Sequence, residues 1–191
     1  AHFPYFTAAI MDIINKSDIF KIEEDAQLLA WHLGESRIAE IKTKDTDGNT
    51  YHLNLNLNGW KNNPIICDGI IRNGSWGNPV PGEVFICPVQ NGSSGEICIN
   101  GRFYNRKLKP KEEIILSFKN GRLKSWRVNN SESNILIESI LKIKAESEIS
   151  GDENWNCLAE FGIGLNKSIV ELVGNPIIDE KKYGTIHVAL G

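Results

Sequence analysis

The sequence predicts an α+β fold: a predominantly antiparallel, strongly curved, barrel-like sheet with two helices leading in and one crossing it. Three observations point there. Apolar residues recur at helical spacing over the first 35 positions and again near 133–144, while elsewhere the period drops to two. Asn-Gly occurs at 58, 73, 91, 100 and 120, each time between candidate strands, which favours tight antiparallel turns. No repeat or low-complexity stretch divides the chain, and 191 residues suit a single domain with a substantial core.

The elements follow in order. Phe6, Ile10, Ile13 and Ile14 make the first helical face, and Asn15-Lys16-Ser17-Asp18 breaks it. A second helix is predicted from about Glu23 to Leu33, with Ala26, Leu29, Ala30 and Leu33 on one face and Gly34 at its end. Ile38–Thr43 and Tyr51–Leu57 alternate around Asp47-Gly48 as a hairpin. Further strands are predicted at Cys67–Ile71, Glu83–Cys87, Glu96–Asn100, Ile114–Phe118 and Arg122–Val128. A helix from Ser133 to about Lys144 follows, then a Glu-rich loop at 146–153 and strands at Leu158–Leu165 and Thr185–Leu190. His32 and His52 fall within a helix and on the wet face of a strand, and both read as structural.

Composition narrows the function. Apolar content of 41% with 24% charged residues is that of an ordinary globular protein, and a net charge of −3 predicts neither a nucleic-acid nor a membrane partner. The basic cluster Arg102–Lys111 reads as a solvated strand and turn. No segment approaches the roughly 20 apolar residues of a membrane span. Cys67, Cys87, Cys98 and Cys157 follow no ligand spacing and read as buried free thiols, which places the protein in the cytoplasm.

Three segments each set one metal-capable side chain into an apolar or glycine-lined run: Pro81–Pro88 with Glu83, Leu158–Asn166 with Glu160, and Gly184–Gly191 with His187. Strand alternation puts Val84 and Ile86 opposite Glu83, Phe161, Ile163 and Leu165 opposite Glu160, and Ile186, Val188 and Leu190 opposite His187. Gly162 and Gly164 beside Glu160, and Thr185 and Ala189 beside His187, leave room for an ion and a substrate. Two carboxylates and an imidazole are a ligand set for a hydrolytic metal centre. The plain alternative is three polar residues on solvated strand faces, since no local ligand motif links them.

The order of these motifs resembles the catalytic domain of the thermophilic-type metallo-aminopeptidases, the leucyl aminopeptidase or aminopeptidase T group (peptidase family M29). The resemblance rests on Gly82–Pro88, Leu158–Asn166 and Asp179-Glu180-Lys181-Lys182-Tyr183-Gly184-Thr185-Ile186-His187-Val188-Ala189-Leu190-Gly191, with Ala1-His2-Phe3-Pro4 similar to a linker motif. It implies a metal-dependent aminopeptidase acting on peptide substrates as a homodimer. Glu83, Glu160 and His187 would be metal ligands, and Glu180 and Glu160 catalytic carboxylates. The cofactor would be two divalent ions (zinc, cobalt or manganese) that activate a water and polarise the peptide carbonyl. Read from the residues alone, the Asp179–Lys182 run is a solvated turn.

Such enzymes complete their centre with a later His-x-Asp pair and carry a preceding N-terminal domain, and neither lies within these 191 residues. The chain is therefore expected to be an internal piece of a longer enzyme, with residues 1–35 a helical lead-in, or a natural short form. Two alternatives stand beside hydrolysis. One is a peptide-binding relative that lost part of the metal site. The other is a ring-cleaving dihydroxypyridine dioxygenase with a single iron, a group with similar architecture; iron oxygenases favour two histidines and one carboxylate, and one histidine beside two glutamates tilts this set toward hydrolysis. Trp76, framed by glycines, is a candidate for a specificity pocket or the core, Tyr183 either stacks on substrate or packs, and Asn166 is expected to form a turn.

Overall fold

The structure, a computed structural model, describes residues 7–59, 63–74, 77–104, 106–129 and 134–191. The linker-like motif at 1–4, Phe6 and Trp76 lie outside the described residues. The chain forms two compact units. The first gathers residues up to Glu35, Asn63–Ile86 and Gly162–His187, and the second gathers Ser36–Asn62, Cys87–Phe161 and Val188–Gly191.

The first unit opens with helix α1 (Ala8–Lys16) and helix α2 (Ile19–Glu35). Thr7 caps α1 by accepting from the Ile10 N–H, and Ser17 ends it with its hydroxyl on the Ile13 carbonyl. Helix α2 begins four residues before its expected start, because Asp18, read as part of a break, accepts from the Lys21 N–H as an N-cap. Ile10 packs with Val80, Ile169 and Ile178, and Ile13, Ile14 and Ile177 close over them.

The second unit holds a five-stranded sheet. Its members are β1 (Ile38–Lys44), β2 (Thr50–Asn56), β5 (Val89–Ile99), β8 (Glu113–Lys119) and β9 (Arg122–Asn129), hydrogen-bonded in the order β1-β2-β5-β8-β9. All its pairings are antiparallel. Leu53 and Leu55 are buried and His52 and Asn54 exposed, as the alternation of β2 requires. Asn120-Gly121, both at positive φ, turns β8 into β9. Asn91-Gly92 does not make a turn; it lies inside β5, where the ladder with β2 shifts register between Asn54 and Asn56.

Between these, β3 (Ile65–Cys67) pairs with β4 (Glu83–Ile86), and β6 (Arg102–Phe103) with β7 (Arg106–Lys107) inside the basic cluster. Strand β3 stops at Cys67 rather than running to Ile71, because Asp68 accepts from the Ile70 N–H and pairs with Arg72 in a side-chain turn. Helix α3 (Asn134–Ser150) runs through most of the stretch expected to be a loop. Pairs Lys142–Glu146 and Lys144–Glu148 sit one turn apart, and Gly151 at φ +72° ends the helix.

Strand β10 (Leu158–Gly164), short helix α4 (Pro176–Asp179) and strand β11 (Ile186–Leu190) complete the chain. A four-stranded sheet has the order β11-β10-β4-β3. The fold is α+β and mostly antiparallel. The sheets are open, not the barrel expected: β1 and β9 remain the outer strands of the five-stranded sheet. Of the cysteines, Cys98 and Cys157 are buried, Cys67 is partly covered and Cys87 exposed; all four are free thiols. Among the described residues no helix is long and apolar enough to cross a membrane.

Candidate metal centre

Glu83 opens β4 in a tightly held place. The Gly82 N–H donates to the Cys67 carbonyl (2.8 Å), and the Gly82 carbonyl accepts from the Leu165 N–H (2.8 Å). Gly82 sits at φ +113°, and a β-carbon there would lie 2.6 Å from the Asn166 side chain. Glu83 is only 3% exposed, so both faces of β4 are covered, not just that of Val84 and Ile86. Cys67 faces it across the β3–β4 ladder.

Helix α4 delivers Glu180. Asn175 caps it by accepting from the Ile177 N–H, and Pro176 fills the first turn. Asp179 turns inward and accepts from the Val173 and Gly174 N–H groups, both at 2.8 Å. The next turn is fastened to Asn166. Its N–H donates to the Lys181 carbonyl (2.7 Å), and its own carbonyl accepts from the Tyr183 N–H (3.0 Å). The Asn166 side chain is fully buried, donating to the Ser17 hydroxyl (2.8 Å) and the Pro81 carbonyl (2.9 Å) and accepting from the Ser168 N–H (2.9 Å). The Asp179–Lys182 run is thus no solvated turn: Asp179 and Lys181 are both buried.

His187 comes from β11. Its imidazole fills the space where a side chain at Gly162 would be, so an added β-carbon would fall on the ring. Gly164 likewise admits the Lys182 carbonyl. The room expected beside these glycines for an ion and substrate is used by the protein's own groups.

One ligating atom each from Glu83, Glu180 and His187 lies within 4.8 Å of the others. His187 Nε2 is 3.8 Å from Glu83 Oε1. Lys181, absent from every sequence expectation of the site, points into the same cluster. Its ammonium is ion-paired with Glu83 Oε2 and lies 3.4 Å from Glu180 Oε2. Burial pulls Lys181 toward the neutral form, but the charges of Glu83 and Glu180 outweigh it and hold its pKa above that of an ordinary lysine. Asn175-Pro176 signals the short helix before Lys181, but the burial of the charged run follows from the tie to Asn166, which no local signal marks.

The convergent set is therefore Glu83, Glu180 and His187. Glu160 is not one of its members. It lies half-buried on β10 in the second unit, where local desolvation and then its charge raise the Cys87 thiol above its usual range. Tyr183 is half-exposed with the Lys167 ammonium 4.7 Å over its ring. Two carboxylates and an imidazole form a mixed oxygen–nitrogen set able to hold a borderline divalent ion, and no thiolate belongs to it.

No protein-family model and no curated protein matches the chain. Among solved structures it is similar to the 2,5-dihydroxypyridine dioxygenase of Pseudomonas putida KT2440. The likeness has a TM-score of 0.66 at 12% identity and covers 92% of this chain. The chain spans about half of that protein, 49% of its length. This finding shows a shared fold, and it corrects the expectation drawn from the motifs. The metallo-aminopeptidase resemblance has no support among the comparisons, and with it the readings as a peptidase and a hydrolase fall. In this chain Gly162 and Gly164 of the Gly-x-Gly segment admit the His187 ring and the Lys182 carbonyl, a packing role that motif order alone does not separate from chemistry.

Proposed function

We propose that this chain carries the metal centre of a ring-cleaving dioxygenase, holding one iron(II) ion through Glu83, Glu180 and His187 and acting on a dihydroxylated aromatic ring of the pyridine type. The observation that carries this reading is the convergence of those three ligands in a chain whose fold is similar to that of such a dioxygenase. Iron(II) with open positions would supply activation of dioxygen and a point of attachment for the ring hydroxyls.

The residues divide the remaining work. Glu83, almost wholly buried, fixes the deep side of the centre and keeps water from it. His187 is seated against Gly162, which sets the direction of its ring nitrogens. Glu180, with 24% of its side chain exposed, is the most open of the three and marks the side from which substrate arrives.

The test begins with chelator-treated protein titrated anaerobically with iron(II). One equivalent should bind, and Glu83→Gln and His187→Ala should each abolish tight binding. Oxygen uptake on adding 2,5-dihydroxypyridine should then depend on the iron. Iron binding without uptake for any dihydroxylated pyridine overturns the dioxygenase reading, and failure to bind any divalent ion overturns the metal centre itself.

A further inference from the structure

The two carboxylates of the centre approach each other closely, and Glu83 is cut off from water. Like charges in such a place repel strongly, and a buried carboxylate is costly without a cation. Lysine is itself rarely found so deep, with 4% of its side chain exposed. Its ammonium lies on Glu83 and within 3.4 Å of Glu180, so it meets the charge of the same two groups that a divalent ion would use. The backbone leaves it little choice, because the hydrogen bond from Asn166 to the Lys181 carbonyl and that from Tyr183 to Asn166 pin the turn that carries it.

We propose that Lys181 is a built-in competitor of the divalent ion: in the metal-free protein its ammonium supplies the positive charge the converging carboxylates require, and it thereby weakens ion binding. This rests on the metal-centre reading above and adds to it a means by which the chain sets its own metal affinity. The metal-free fold is kept intact by the lysine. The bound ion has to share Glu83 with a neighbouring positive charge, so only ions with a strong preference for the imidazole and carboxylate set bind well.

The experiment compares wild-type protein with Lys181→Met and Lys181→Arg, titrated with manganese(II) and, anaerobically, with iron(II). Binding is read by calorimetry, and unfolding temperature is read with and without ion. Lys181→Met is expected to bind at least about tenfold more tightly than wild type, since the repulsion removed at this range exceeds what a tenfold change requires. Its metal-free form should be destabilised, so that the ion raises its unfolding temperature more than that of wild type. Lys181→Arg, which keeps the charge, should bind like wild type within about threefold. A Lys181→Met protein that folds only when ion is present supports the proposal. One that stays unfolded at saturating ion, or binds ion no more tightly than wild type, overturns it. Wild-type protein that binds neither ion instead sinks the metal centre, and this inference with it.

Discussion

The imidazole of His187 occupies the place that a β-carbon on residue 162 would take, so Gly162 is what lets the histidine reach Glu83. Gly162 has no left-handed backbone conformation that would forbid a side chain. The strand can therefore accept alanine, and the ring must yield. Gly162→Ala is expected to lower divalent-ion affinity at least about tenfold, the scale for disturbing a ligand's support. The unfolding transition should remain cooperative. Unchanged metal affinity in a folded Gly162→Ala protein would show that the ring is oriented by something else.

The ion pair of Glu83 and Lys181 predicts a distinctive pattern of stability. Glu83→Leu leaves a buried ammonium with only Glu180 for company and should cost about 3 kcal/mol or more, the scale for breaking a buried pair from one side. The double variant Glu83→Leu, Lys181→Met removes both charges and should recover a large part of that loss. Denaturant unfolding of the metal-free proteins measures both. Additive losses in the double variant would mean the two side chains are not energetically coupled.

Much of this fold was legible in the sequence. Period-two alternation in β2 and the Asn-Gly turn at 120 reflect local physics that tertiary packing leaves alone. What escaped was set by polar side chains that cap, pair or tie down the backbone rather than by apolar spacing. Asp18 starts its helix four residues ahead of where apolar spacing marks it, Asn175 starts one that spacing does not mark, and Glu–Lys pairs accompany α3 through a stretch with too few apolar residues to look helical. The same holds for the centre. Glu83 and His187 could be singled out as residues able to ligate, with Glu160 expected as the third; Glu180 was expected only as a catalytic carboxylate, and its run and Lys181 are buried by the turn that Asn166 ties down. Family-like motif order could not supply the reaction, since the segments concerned serve packing as well as chemistry.

Acid sensitivity should arise in part outside the centre, at Glu112 of the second unit. Its carboxylate accepts from the Lys109 N–H at 2.7 Å and from Arg106 at 2.6 and 2.9 Å. The backbone bond and the Arg106 charge outweigh desolvation and hold its pKa below the usual carboxylate value. A depressed folded pKa means the stabilisation is fully present above the unfolded value of about 4.3 and is lost as pH falls through the lower folded value. Glu112→Gln should therefore destabilise the protein at neutral pH, with the difference from wild type shrinking steadily below about pH 4. A difference that stays constant down to the acid transition would show that Glu112 contributes through shape alone.

Asn166 gives the last test, because its buried side-chain amide joins the end of α1 to the approach to β4, while its backbone ties down the turn bearing Lys181. Its two side-chain donor bonds reach Ser17 and Pro81, and its oxygen takes the Ser168 N–H. Asn166→Ala strands the buried Pro81 carbonyl and opens a small void, for an expected loss of about 2–4 kcal/mol. Asn166→Asp is the more telling change. It preserves volume and the bond from Ser168, but replaces the donor to Pro81 with a buried negative oxygen facing a carbonyl. Asp should therefore destabilise at least as much as Ala at neutral pH and less in acid, where its carboxyl can be protonated and donate. If Asn166→Asp is as stable as wild type at pH 7, the side-chain amide is not the clasp of the first unit, and the backbone bonds of Asn166 hold the turn bearing Lys181 without it.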